Sequence, residues 1–165
     1  MRKISLPKAS VLTSPNPVTL ICTKRDDGAT NLATVSWYTH LLYNPEMLCY
    51  AMAKTSFSGE MMRKYHKAIL TIPGEELKDL VFKCGTSTGR NIDKVKEFNV
   101  KMESVEGSDI KVPTHSKVAI LLSLVEFKEV GDHYLYICKV DSVYETENEK
   151  ALFAFNGYSK IDVVE

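Results

Sequence analysis

Val18-Thr19-Leu20-Ile21-Cys22-Thr23-Lys24-Arg25-Asp26-Asp27-Gly28 is typical of a buried strand that runs into a tight turn. Its first six residues are apolar or β-branched, a composition that favours extended backbone. The Asp-Gly pair then supplies residue types that tolerate the backbone of a hairpin turn. The segment therefore predicts a β-hairpin whose second strand, at about residues 30–39, returns antiparallel to the first.

The rest of the chain alternates short apolar runs with helical patterns. Further strands are predicted at about residues 47–52, 68–72, 118–130 and 134–143, and helices at about 58–67, 75–83 and 93–98. Many short strands with helices between them favour a closed or partly open antiparallel barrel with peripheral helices, which is mainly β within the α+β class. Because no repeat, low-complexity tract or linker interrupts the sequence, residues 1–165 are predicted to form one domain.

Composition narrows the possible functions. The chain has 165 residues, of which 44% are hydrophobic, and this suits one domain with a full core. Its 21 Lys and Arg balance 21 Asp and Glu, so no net field attracts nucleic acid or an anionic membrane. No apolar run is long enough for a signal peptide or a membrane span, and we expect a cytoplasmic protein.

The cysteines and histidines are widely spaced. They are Cys22, Cys49, Cys84, Cys138, His40, His66, His115 and His133. Three of the thiols lie in strand-like runs, where cysteine acts as a small hydrophobe, and no histidine pair has the close spacing of metal ligands. The sequence predicts no metal site, and Cys84 is the one thiol that we expect near a ligand.

A second informative stretch is Cys84-Gly85-Thr86-Ser87-Thr88-Gly89-Arg90-Asn91-Ile92-Asp93-Lys94. Glycines let backbone amides approach an anion, hydroxyl groups donate hydrogen bonds, and Arg90 and Lys94 supply positive charge. The stretch is thus suited to bind a phosphate-bearing ligand. Taken alone, however, the stretch favours an ordinary loop in which Asn91 caps a short helix.

Several segments, taken in order, resemble the flavin reductase-like family, and most closely its flavoredoxin and NAD(P)H:flavin oxidoreductase branch. They are Asn31–Trp37, Asn44-Pro45, Ser56–Met61, Cys84–Lys94 and Gly131-Asp132-His133. The resemblance runs from about Pro17 to His133 and more thinly to Tyr158. It implies an antiparallel split β-barrel with peripheral helices that binds FMN.

The resemblance also implies a set of site residues. It assigns the flavin ring to a strand, the phosphate to the start of the first predicted helix, and a polar wall to the glycine-rich stretch. In that order the residues are Asn31, Thr34, Val35, Ser36, Trp37; Lys54, Ser56, Ser58; and Ser87, Arg90, Lys94. Lys94 is expected to contact the flavin directly. Because many relatives carry arginine in place of Ser56, Lys54 or Arg90 is expected to compensate.

Two further residues complete the expected site. His133 is expected to reach the flavin or the nicotinamide pocket, and Tyr158 to cover the ring from the C-terminal side. Trp37 and His133 are the predicted catalytic residues. Without the resemblance, the sequence favours Trp37 as a core residue of a sheet strand and His133 as a solvated residue of a hairpin turn.

The implied activity is hydride transfer from NADH or NADPH to FMN, followed by electron transfer to oxygen, free flavin or an acceptor protein. An FMN electron carrier without nicotinamide oxidation and a non-catalytic split-barrel protein remain alternatives. A homodimer is expected because three segments look like surplus apolar surface: Leu41-Leu42-Tyr43, Met47–Met52 and Leu152–Phe155.

Overall fold

A computed structural model describes residues 1–164 of the protein. Its strands are β1 (Asn16–Pro17), β2 (Thr19–Lys24), β3 (Thr30–Val35), β4 (Tyr38–Tyr43), β5 (Glu46–Ala53), β6 (Lys67–Pro73), β7 (Met102–Ser104), β8 (Lys111–Pro113), β9 (Ser116–Val130), β10 (His133–Glu145), β11 (Leu152–Phe155) and β12 (Lys160–Val163). Its helices are α1 (Leu6–Leu12), α2 (Phe57–Tyr65), α3 (Lys78–Gly85) and α4 (Lys94–Glu97), and a 3-10 turn (Glu75–Leu77) precedes α3.

Seven strands form the main antiparallel sheet, in the spatial order β3-β2-β6-β9-β10-β5-β4. Strands β3 and β4 lie at opposite edges of this sheet, yet only Ser36 and Trp37 separate them along the chain. Since two residues span only about 7 Å, the sheet must curl until its edges meet. The two edge strands do not pair, so the result is an antiparallel barrel split between β3 and β4, as the resemblance implies.

Successive side chains of the central strands point to opposite faces of the sheet and pack in two separate hydrophobic cores. Leu20 and Cys22 pack in one cluster on the outer face, with residues of α3 and of β12. Ile21 packs in the other cluster with residues from β5, β6, β9 and β10, strands from both halves of the sheet. Because both faces of β2 are covered, its residues are buried almost without interruption.

The remaining elements lie around this barrel. Strands β1, β11 and β12 form a small sheet, and β7 pairs with β8. Helix α2 begins after Ser56, whose hydroxyl accepts a hydrogen bond from the Gly59 amide, and it ends at His66, which adopts the left-handed conformation. Glu60 in the first turn and basic residues in the last complement the helix dipole.

The structure corrects parts of the sequence interpretation. The strand predicted at about residues 30–39 is interrupted at Ser36 and Trp37, where the chain crosses the split. Two of the three segments expected to be surplus apolar surface are largely buried. Leu48 and Tyr50 fill the barrel, and Leu152 and Ala154 pack in the outer core. Helix α1 was not predicted. Its apolar residues are mostly exposed, so the segment has no core-facing pattern that would indicate a helix.

Candidate functional site

The largest cavity described lies at the split and has a volume of about 410 Å³. It is lined by Ala33, Thr34, Val35, Ser36, Trp37, Ala51, Met52, Ala53, Ser56, Cys84, Gly85, Ser87, His133 and Tyr158. This volume falls in the range of small-molecule sites. The cavity has one wall made of strand, one made of the loop after α3, and a corner at the start of α2.

The strand wall is the end of β3 with the crossing residues Ser36 and Trp37. As β3 is an edge strand, no further strand covers this side of its end. The crossing is held by a hydrogen bond of 2.9 Å from the Ala51 amide to the Trp37 carbonyl. The Trp37 side chain is 61% exposed, so it is available to a ligand and is not the core residue that a sheet strand would require.

An aromatic pair stands at the cavity rim. The rings of Trp37 and His133 have centroids 5.2 Å apart and are tilted by 37°. His133 Nδ1 lies 2.7 Å from Asp132 Oδ1, and this hydrogen bond lowers the pKa of the Asp132 carboxyl. The carboxylate fixes the imidazole orientation at the tip of the β9–β10 hairpin, where His133 faces the cavity.

The corner of the cavity is the N-terminus of α2. Ser56 lines the cavity and caps the helix. The first amides of any α-helix lack intrahelical acceptors, which makes this end suited to an anion. Behind the corner, Asn31 Nδ2 donates a hydrogen bond of 2.6 Å to Ser58 Oγ, and Asn31 Oδ1 is buried without a partner.

The loop wall follows α3 and passes very close to the strand behind it. A Cβ atom at Gly89 would lie 1.8 Å from Asn31 Oδ1, so only glycine fits there. Three carbonyl groups around this loop accept hydrogen bonds from cations. Lys94 Nζ donates to the Cys84 carbonyl at 2.8 Å, and Arg25 Nη1 donates to the carbonyls of Gly89 and Ile92.

Most of the residues implied by the family resemblance therefore meet at one cavity. Those that line it are Thr34, Val35, Ser36, Trp37, Ser56, Ser87, His133 and Tyr158. Cys84, the thiol expected near a ligand, also lines it, and burial raises the pKa of this thiol to about 11.

Five expected residues do not line the cavity. Asn31 and Ser58 are buried behind its corner, where they bond to each other. The amine of Lys54 pairs with Glu129 on the β9–β10 hairpin, and Arg90 forms a 2.7 Å ion pair with Glu60. Lys54 and Arg90 turn away from the cavity because the tertiary fold brings an acidic partner close to each of them.

Lys94 is the clearest correction. The direct flavin contact expected of it is not compatible with its position, because the side chain is only 2% exposed and its amine is bound to the Cys84 carbonyl. Burial lowers the pKa of this amine. Lys94 stands behind the loop wall and supports it, whereas the sequence pattern suggested that it faces the ligand.

The sequence analysis did not predict one part of the cavity lining, formed by Ala51, Met52 and Ala53 at the end of β5. These residues carry no polar group, and only the pairing of β5 with β10 brings them beside His133. Their small or flexible side chains leave room for a ligand. The run of small residues around Met52 in Ala51-Met52-Ala53 was the available signal.

Within residues 1–164, no three His, Cys, Asp or Glu side chains converge as metal ligands would. In the same part of the chain, no helix has the length and apolarity needed to cross a membrane.

The fold and this cavity define a split-barrel protein of the flavin reductase type. The family model for the flavin reductase like domain matches residues 11–162, and the chain belongs to this family. An uncharacterized protein from Archaeoglobus fulgidus is 26% identical over 112 residues, which are 67% of this chain and 62% of that protein. The match thus spans less than two thirds of the relative.

Solved structures share the fold at low sequence identity. Flavoredoxin of Desulfovibrio vulgaris superposes with a TM-score of 0.85 at 17% identity, over 99% of this chain and 94% of that chain. An FMN-binding protein from Thermus thermophilus, crystallised with 1-cyclohex-2-enone, gives a TM-score of 0.79 at 21% identity, over 94% of this chain and 89% of that chain.

Proposed function

We propose that the protein binds FMN in the cavity at the split and acts as an NAD(P)H-dependent flavin reductase. The observation that carries this proposal is the convergence of the β3 end, the α2 N-terminus and the glycine-rich loop on one cavity of about 410 Å³. Membership of the flavin reductase-like family supports it. The FMN-binding protein of the same fold supports the choice of cofactor.

The lining residues suit the two chemical halves of a flavin. An isoalloxazine ring needs apolar or aromatic cover together with some donors and acceptors, and Val35, Met52 and Trp37 offer the former. Ser36 and the backbone of the crossing offer the latter. Tyr158 lines the same cavity from the C-terminal segment and is placed to cover a bound ring.

The phosphate end of the ligand would lie at the corner formed by Ser56 and Ser87. Both residues line the cavity, where the Ser56 hydroxyl accepts a hydrogen bond from the Gly59 amide and the Ser87 hydroxyl donates one to the Lys83 carbonyl. The amides of the first turn of α2 that have no intrahelical acceptor would bind the anion. Arg90 lies outside the cavity beside Phe57, the first residue of α2, and adds positive charge to this end. The arrangement predicts a preference for FMN over riboflavin, which has no phosphate.

Bound FMN would supply the two-electron chemistry, taking a hydride from NADH or NADPH. The protein's own contribution is to hold both rings and exclude water. Trp37 and His133 line the cavity as an aromatic pair, which supports a role for both in orienting a nicotinamide ring. Oxygen, free flavin or an acceptor protein would receive the electrons.

The absorption spectrum of the purified protein tests this proposal. After reconstitution with FMN and desalting, we expect a retained flavin band that NADH or NADPH bleaches under anaerobic conditions. The wild-type protein should bind FMN at least ten-fold more tightly than riboflavin, since a charge-assisted phosphate contact contributes about 1.5–3 kcal/mol. Equal affinity for the two flavins would reject the phosphate site.

A second candidate is an electron carrier of the flavoredoxin type, and the strong match to a flavoredoxin structure favours it. Such a protein holds FMN but does not oxidise nicotinamide. Bleaching by dithionite combined with no bleaching by either nicotinamide would select the carrier. A non-catalytic split-barrel protein would retain no flavin at all.

We also propose that the protein is a homodimer. Leu41, Leu42 and Tyr43 are 44%, 49% and 81% exposed, and together they form an apolar segment at the end of the edge strand β4. An uncovered apolar edge strand favours association with another chain. Sedimentation at micromolar concentration should show a species of twice the chain mass, and a monomer that retains FMN would contradict the proposal.

A further inference from the structure

One arginine connects the separate parts of the cavity's phosphate end. Arg25 stands at the β2–β3 turn, where its amide donates a 2.8 Å hydrogen bond to the Ala29 carbonyl. Its side chain extends away from this turn to the glycine-rich loop, more than sixty residues away in sequence. There Nη1 donates to the Gly89 carbonyl at 3.1 Å and to the Ile92 carbonyl at 3.3 Å.

The same guanidinium also contacts α2. Its central carbon lies 5.7 Å from the centre of the Phe57 ring, and Phe57 is the first residue of that helix. The guanidinium carbon of Arg90 lies 5.4 Å from the centre of the same ring, so both arginines contact Phe57. Arg25 therefore touches both elements that form the phosphate corner, the first turn of α2 and the loop after α3.

The geometry at Arg25 suits positioning and not ligand contact. The side chain is about 20% exposed and is absent from the cavity lining. Its Nε is buried without a hydrogen-bond partner and lies 3.5 Å from Asp27 Oδ1, too long for a good hydrogen bond. The side chain is thus held mainly by the two loop carbonyls and by Phe57. Both carbonyl bonds come from the single nitrogen Nη1, while the planar guanidinium group lies near the Phe57 ring, a combination that the shorter, non-planar lysine side chain does not reproduce.

We propose that Arg25 is a positioning residue that sets the loop at residues 85–92 against the start of α2, so that the flavin phosphate site is formed before the ligand arrives. The inference rests on the proposed function. A ligand that binds a preformed site does not have to order the loop, so less conformational entropy is lost on binding. Removal of Arg25 should therefore weaken binding of the phosphate group. The ring half of the cavity, built on β3 and β5, does not touch Arg25.

The test compares Arg25→Met and Arg25→Lys with wild type. We expect Arg25→Met to bind FMN about ten-fold more weakly and riboflavin within two-fold of wild type, since loop positioning acts on the phosphate end. Arg25→Lys keeps the charge but loses the planar guanidinium group near Phe57, so it should also weaken FMN binding more than riboflavin binding. Lys64→Met is the matched control, because Lys64 pairs with Asp26 in the same hairpin and does not touch the loop.

Hydrogen exchange of the flavin-free protein supplies a second measurement. Amides at residues 86–92 should exchange faster in Arg25→Met than in wild type and in Lys64→Met. An unchanged ratio of FMN to riboflavin affinity, or unchanged exchange in this loop, would overturn the role of Arg25. If Arg25→Met does not fold, the same two readouts on Arg25→Lys decide. A wild type that binds riboflavin and FMN equally would instead reject the phosphate site itself.

Discussion

The two walls of the cavity use their polar residues in opposite ways. On the strand wall, the five consecutive residues 33–37 line the cavity, because β3 has no neighbour beyond its edge, and Trp37 exposes its side chain there. On the loop wall, the cations turn away. Lys94 is buried behind Cys84, and Arg90 pairs with Glu60.

The difference shows how charge is used near a glycine-rich loop. Cations adjacent to glycines suggest direct anion contact, yet here Lys94 and Arg25 bind backbone carbonyls. Drawing carbonyl groups toward a buried cation fixes the course of the loop beside α2. Positive charge therefore fixes the geometry of the loop, whereas the residues of the strand wall line the cavity themselves.

The largest expected effect concerns the close approach of the loop to Asn31. Gly89→Ala places a Cβ atom 1.8 Å from Asn31 Oδ1, and Asn31 cannot move away because it is buried and bonded to Ser58. We expect a loss of about 3 kcal/mol in the free energy of unfolding. Denaturant unfolding measures this loss.

Gly85→Ala is the matched control for that substitution. Its Cβ atom would meet Thr34 at 3.5 Å, an ordinary contact, and Gly85 ends helix α3. The free energy of unfolding should therefore change by less than about 1 kcal/mol, in either direction. Equal losses in Gly85→Ala and Gly89→Ala would show that the loop is not fixed against Asn31.

A smaller effect is expected at Lys94. Lys94→Met leaves the Cys84 carbonyl without its donor, which costs about 1–3 kcal/mol, partly offset by removal of a buried charge. The pKa of Lys94 lies below its ordinary value of 10.5 because of burial. At a pH between the lowered pKa of the folded state and the ordinary pKa of the unfolded state, the unfolded chain binds more protons at Lys94 than the folded chain does. The stability of wild type should therefore rise with pH relative to that of Lys94→Met.

Unfolding measured from pH 7 to pH 10.5 checks this sign. The free energy of unfolding of wild type minus that of Lys94→Met should increase with pH, by no more than about 1.4 kcal/mol per pH unit. Lys96→Met is the control, since Lys96 is exposed and lies two residues away. A difference that falls with pH would show that the folded protein favours the charged form of Lys94.

The smallest effect on stability is expected at Arg90. Its ion pair with Glu60 is largely exposed, and such pairs contribute less than about 1 kcal/mol. The free energy of unfolding of Arg90→Ala should thus lie within about 1 kcal/mol of the wild-type value. If the guanidinium adds to the charge at the α2 end, FMN binding should weaken modestly while riboflavin binding stays unchanged, as titration of both ligands would reveal.

Local patterns predicted much of the fold. The Asp-Gly turn and the β-branched run at residues 18–23 form the expected hairpin, because turn chemistry and strand propensity act over a few residues. The break at Ser36 and Trp37 could not be predicted from the sequence. It depends on β4 joining the opposite edge of the sheet, which is a property of the whole topology.

The sequence predicted which segments contribute to the site, but not which way their side chains face. Of the stretch Cys84–Lys94, Cys84, Gly85 and Ser87 line the cavity, but the sequence does not say which side of the loop Lys94 occupies. Arg25 gave no signal, because its partners lie more than sixty residues away and are backbone carbonyls. Ala51, Met52 and Ala53 were missed because apolar residues bind by shape, and shape follows from packing.

Trp37 offers the most direct test of the central claim, that the cavity at the split binds FMN. It is the only tryptophan in the chain, and it lines the cavity with its side chain exposed. We predict that titration with FMN quenches its fluorescence to saturation with one flavin per chain, and that riboflavin requires a higher concentration. Linear quenching without saturation, at concentrations where free tryptophan behaves in the same way, would contradict the account.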